Sequence, residues 1–179
     1  MKTIAVPTYE QVSTDSQAIF ANLKKGLGFV PNLYATFAHS ESALATYMAL
    51  QNAKSSLSAK AREVINLVVS QVNNCRYCLA AHTVVGKMNG FSDAQILEIR
   101  RGRASFDSRL DALARLVHGI ALERGHADPA LVQAFFAAGW TEANLVDAIV
   151  VIGDKTISNY LHATTHVPVD FPEAPALDA

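Results

Sequence analysis

Long hydrophobic runs are missing from this 179-residue chain. Stretches such as Ala148 to Ile152 are the longest it offers, far short of the roughly 18 residues needed to span a bilayer. Runs of like charge are missing too. Lys and Arg number 15 against 16 Asp and Glu, a formal net charge of -1, so no basic footprint exists for a nucleic-acid backbone or an anionic membrane surface. The start, Met1 to Pro7, has one basic residue but no apolar segment before Thr8, Glu10 and Gln11, and a cytoplasmic location is expected. Cysteine is scarce, with two residues. That is too few for a disulfide framework and points instead to redox, catalytic or metal chemistry. Alternating polar and apolar positions and hairpin turns are also lacking, which leaves an all-α fold as the expectation.

What is present is helical periodicity with punctuation. A short helix is predicted over 16–25, stopping at Gly26 and Gly28. Pro31 disfavours helical geometry at Val30 but suits the start of a helix. Apolar residues at helical spacing then run from 33 to about 54, with an interruption at His39-Ser40-Glu41. Ser58 occupies an N-cap position ahead of 59–72. The β-branched stretch 64–72 would also suit a buried strand, but Val64, Ile65, Val68, Val69 and Val72 share one helical face while strict alternation fails, so helix is predicted. Asn73-Asn74 breaks the chain, and a helix over 75–89 closes at Gly90.

Ser92 and Gln95 form a capping-box pattern, and Arg100-Arg101-Gly102-Arg103 reads as a basic helix end. Further helices are expected from Leu110 to Gly125, from Asp128-Pro129 to Gly139, and from Thr141 to about Thr164, before Pro168 forbids continuation. Residues 168–179 are expected to be extended or disordered, closing one domain of 1–179. The segments Gly90-Phe91-Ser92 and Gly139-Trp140-Thr141 echo one another as glycine stop, aromatic and fresh cap. Half of the residues are hydrophobic and the mean hydropathy is +0.16, which hints at a subunit interface.

The chemistry concentrates in Cys75-Arg76-Tyr77-Cys78-Leu79-Ala80-Ala81-His82. At 100° per residue, Cys75, Cys78 and His82 fall within about 60° of one another on one helix face. A helix N-terminus favours thiolate over thiol. If Asn73-Asn74 reverses the chain, Glu63 comes level with His82 across a hairpin, and a carboxylate in so apolar a stretch needs such a partner. Glu63 would then hold the imidazole in one tautomer while His82 takes the proton of Cys78, directly or through one water. Attack of the Cys78 thiolate on a hydroperoxide would give a sulfenic acid, which Cys75 can condense with to form a disulfide. A reductant must reopen that bond.

The spacing of Glu63, Cys75, Cys78 and His82 resembles the AhpD-like alkylhydroperoxidase branch of the carboxymuconolactone decarboxylase superfamily. Phe29-Val30-Pro31-Asn32, Leu57-Ser58, Asn74-Cys75 and Asp170-Phe171-Pro172 are similar to its peroxidase-related members. The resemblance implies a helical bundle built around the hairpin that carries the C-x-x-C-x-x-x-H motif, assembled as trimers or hexamers. It also implies a peroxidatic Cys78, a resolving Cys75, a relay of His82 and Glu63, and no cofactor. A histidine often precedes the second motif cysteine in AhpD; Tyr77 stands there in this chain. The partners expected are a hydroperoxide and a thiol or dithiol reductant of unknown identity.

Other readings stay open. Two thiolates, an imidazole and a carboxylate could hold zinc in a non-catalytic or redox-sensing module, although no second close-spaced cysteine pair is present. The same cysteines could serve a general protein disulfide reductase, or be buried small hydrophobes. Haem attachment fails because Leu79 follows Cys78, and a thioredoxin fold lacks its downstream strands. Tyr77 is a candidate substrate contact or a packing residue. Trp140 is expected in the core or a subunit contact, and His162 and His166 are expected to cap the negative end of the last helix.

Overall fold

The computed structural model describes residues 4–177. The first three residues of the Met1 to Pro7 start and the last two positions of the 168–179 tail lie outside the described residues. Among the described residues there are nine α-helices and no strand, so the chain is all-α. The helices are α1 (Thr14–Leu27), α2 (Asn32–Phe37), α3 (Ala43–Gln51), α4 (Ala59–Val72), α5 (Arg76–Met88), α6 (Asp93–Arg100), α7 (Ser108–Leu122), α8 (Pro129–Ala137) and α9 (Glu142–Thr165), preceded by a 3₁₀ turn at Tyr9–Gln11. None of them is long and apolar enough to cross a membrane.

Capping explains most boundaries. The Ser58 side chain accepts from the N–H of Ala61, Asp128 caps the N-terminus that Pro129 opens, and Ser92 and Thr141 each form a full capping box. The echoed segments are structurally alike as well, for Gly90 and Gly139 both adopt positive φ, at 86° and 84°. The interruption after residue 37 separates α2 from α3. α1 is longer than expected because Gly26 stays helical, and only Gly28, with φ 85°, terminates it.

α4 is the axis of the molecule. Val64, Ile65, Leu67, Val68 and Val69 are fully buried, each contributing about 1.5–3 kcal/mol of hydrophobic stabilisation. Burial on almost every side accounts for the blurred periodicity of this stretch. One core gathers α4 with α6, α7, α8 and α9. Phe135 stacks on Trp140 within it, and the indole N–H of Trp140 donates to the Arg109 carbonyl at 2.9 Å. A second apolar cluster joins α1, α2 and α3 to Cys75, Tyr77, Cys78 and Val167. The motif therefore lies where the N-terminal helices close over the α4–α5 hairpin.

The described tail, extended rather than helical, is tied down. The Asn32 N–H donates to Asp170 at 2.7 Å, Arg76 pairs with Glu173 at 2.7 Å, and Phe171 packs edge-on against Phe29 and Tyr77. Arg100 corrects the expectation of a basic helix cap. It is buried, donating to Gln71 at 2.9 Å and to the Pro175 carbonyl at 2.6 Å; its fork binds the tail rather than the helix end. His162 and His166 also depart from charge capping. His166 ends α9 through its left-handed backbone, φ 52°, with its N–H on the His162 carbonyl at 2.8 Å. His162 packs beside Tyr77, and burial lowers its pKa, which disfavours the cation that a dipole cap requires.

Candidate active site

Asn74 turns the chain back with φ 51°, a left-handed conformation that asparagine tolerates. The turn displaces the start of α5 by one residue from the expected 75. Cys75 is the N-cap, in extended geometry, and its sulfur accepts from the Cys78 N–H at 3.4 Å. Cys78 lies in the first turn. Both sulfurs are almost fully buried and unbridged.

The hairpin brings Glu63 and His82 together. His82 Nδ1 lies 2.8 Å from Glu63 Oε2, and Asn66 donates to the other carboxylate oxygen at 2.8 Å. Burial pushes the Glu63 carboxyl up, but attraction and hydrogen bonding from His82, helped by Asn66 and Lys155, outweigh it, and the net shift is downward. Glu63 is therefore an ionised carboxylate, acceptor only, and the imidazole must present Nδ1–H to it. That leaves Nε2 unengaged by the carboxylate. No hydrogen bond among the described residues joins His82 directly to Cys78. The two instead line one cavity of about 190 Å³ together with Tyr34, Tyr47, Lys155 and Phe171.

The two sulfurs are not equivalent. The Cys78 thiol is drawn down to about 6, chiefly by a hydrogen bond from Cys75, with burial opposing and with Lys155, His82 and Ser158 assisting. The Cys75 thiol is pushed far up, first because it donates to Cys78 and then by burial. One negative charge is thus shared unequally. The N-cap contact alone would favour Cys75, but the ammonium, the imidazole and the Ser158 hydroxyl, 3.8 Å from Cys78 Sγ, favour Cys78.

Tyr77 lines the same cavity. Its oxygen accepts from the Leu33 N–H at 3.2 Å and its ring meets Phe171. Burial and the neighbouring Asp170 raise its pKa. Lys155 and Ser158 are the residues that sequence reasoning missed. Their signal was available: with Ala148 and Val151 they fall on the buried face of α9, where a lysine is as out of place as Glu63 is on α4. Among the described residues no three His, Cys, Asp or Glu side chains are grouped so as to hold a metal.

The model of the carboxymuconolactone decarboxylase family matches residues 38–118, from the loop after α2 through most of α7. No curated protein sequence matches significantly. Solved structures share the fold. A peroxidase-related protein from Silicibacter sp. TM1040 superposes with a TM-score of 0.82 at 22% identity, over 93% of this chain and 90% of its own. An alkylhydroperoxidase AhpD core protein from Ralstonia eutropha JMP134, also peroxidase-related, gives 0.85 at 20% identity, over 94% and 92%. A cysteine-to-alanine variant of the debrominase Bmp8, in complex with 2,3,4-tribromopyrrole, gives 0.77 at 12% identity, over 95% and 93%. The carboxymuconolactone decarboxylase segment encloses the α4–α5 hairpin and the surrounding helices are arranged as in the AhpD core, so the fold of the chain is the AhpD-like helical one.

Proposed function

We propose that the protein is a thiol peroxidase that reduces hydroperoxides through Cys78 and Cys75. The observation that carries this reading is the Glu63–His82 pair, 2.8 Å apart, opening on the same cavity as the Cys78 sulfur. His82 takes the Cys78 proton at Nε2, and Glu63 stabilises the imidazolium. The thiolate attacks the terminal peroxide oxygen. An S–O bond forms, the O–O bond breaks, and its electron pair leaves on the alkoxide, which takes the proton back from His82 as an alcohol.

Cys78 is then a sulfenic acid with no charge to hold the Cys75 thiol up. Cys75 attacks the sulfenic sulfur, water leaves, and the disulfide forms. A thiol or dithiol reductant supplies the two electrons that restore the pair. The outer face of α9 supports work as a homo-oligomer, because Val146, Ile149, Val150, Ile157 and Tyr160 form an exposed apolar stripe.

The test is peroxide consumption by single variants. Cys78→Ser is expected to be inert. Cys75→Ser should react once and stop at a sulfenic acid that dimedone captures. Equal reactivity of the two would overturn the assignment. A second reading, reductive dehalogenation of a small aromatic, is favoured by the aromatic and apolar cavity wall and by the likeness to the debrominase. Comparing turnover of an alkyl hydroperoxide with that of a bromopyrrole decides between them.

A further inference from the structure

The last helix brings a charged group to the cavity that the relay does not use. Lys155 is only 2% exposed, yet it lines the cavity together with Cys78. Among the described residues its ammonium makes no salt bridge. One turn further on, the Ser158 hydroxyl lies 3.8 Å from Cys78 Sγ and 3.0 Å from the Lys155 carbonyl, so this stretch of α9 is turned toward the sulfur. An ammonium removed from water needs an anion close by.

The nearby acids are few. Glu63, on α4, is engaged by His82 and Asn66. Asp154 adjoins Lys155 on α9 and interacts with Tyr47 of α3. Tyr34 of α2 and Tyr77 of α5 are held neutral by burial, and Cys75 carries its proton. Asp154 keeps one buried carboxylate oxygen without a hydrogen-bond partner, but neither it nor Glu63 lines the cavity, whereas Cys78 shares the cavity wall with Lys155. We propose that Lys155 is the charge anchor of the site. It holds the negative charge on the Cys78 sulfur at rest and remains opposite the alkoxide when that charge moves to the departing oxygen.

The role rests on the thiol-peroxidase reading only in its second half. Burial alone would lower the Lys155 pKa, but the net shift is upward, with Cys78 the foremost cause ahead of Asp154, Tyr34 and Glu63.

The experiment is the pH dependence of iodoacetamide alkylation at Cys78 in the reduced, full-length protein, which requires no peroxide. Lys155→Gln should raise the midpoint by at least about one pH unit and slow alkylation near pH 6.5 by roughly threefold or more, with the rates converging in alkali. Lys155→Arg should keep the midpoint low. A folded Lys155→Gln protein with an unchanged midpoint overturns the proposal.

The reciprocal measurement needs no lysine variant. In ¹⁵N-lysine spectra, alkylating Cys78 in the native sequence should lower the titration midpoint of Lys155, and an unmoved midpoint would equally overturn the proposal. A low-pKa thiol that depends on Lys155 but does not reduce peroxide would sink the peroxidase reading and leave the anchor standing.

Discussion

Glu63 Oε2 and His82 Nδ1 lie 2.8 Å apart although 19 residues separate them in sequence, because Asn74 folds α5 back along α4. The pair is a buried acid and base with one defined proton position, and it makes the site's pH behaviour calculable in sign.

Glu63→Gln keeps the shape and removes the charge. Loss of the partner carboxylate should cost about 1–3 kcal/mol of stability and slow the Cys78 reaction with peroxide. The folded pKa of Glu63 is depressed, so its contribution is fully present above the unfolded value near 4.3 and is lost as pH falls through the folded value. Urea unfolding from pH 7 to pH 3 should show a steeper acid loss in the native protein than in the variant.

The division between the sulfurs predicts selective reactivity. Half-maximal alkylation of Cys78 should fall near pH 6, with Cys75 unmodified at neutral pH while Cys78 carries the charge. Peptide mapping after brief iodoacetamide treatment across pH 5 to 9 checks this.

Tyr77→Phe separates packing from substrate contact. Removing the hydroxyl leaves the Leu33 N–H without its acceptor, at about 1–2 kcal/mol. The melting temperature should drop while KM for a hydroperoxide changes little.

The tail should matter to the cavity. Phe171→Ala removes a partly buried ring that lines it and packs on Phe29 and Tyr77, at about 1–2 kcal/mol. Arg100→Met should release the Pro175 carbonyl from its donor and raise hydrogen exchange over residues 170–177.

The α4–α5 hairpin was legible because every signal in it is local. Ser58 starts a helix, Asn73-Asn74 breaks it, and three or four residues per turn place Cys75, Cys78 and His82 on one face. Glu63 announced itself as a carboxylate among β-branched residues. The other side of the site was hidden because Ser158 reaches Cys78 across 80 positions, and spacing says nothing about which helix closes over which. Arg100 misled for a related reason: beside Arg101 and Arg103 it looks like a solvated helix end, and only the returning tail supplies the carbonyl it binds.

The central claim is that Cys78 and Cys75 form one redox couple. Intact mass and peptide mapping of the reduced protein after one equivalent of an organic hydroperoxide tests it most directly. The expected product has lost two hydrogens and carries a Cys75–Cys78 link, and Cys78→Ser is unchanged under the same pulse. Two free thiols after the pulse, or oxygen added at Cys75 with Cys78 intact, would contradict it.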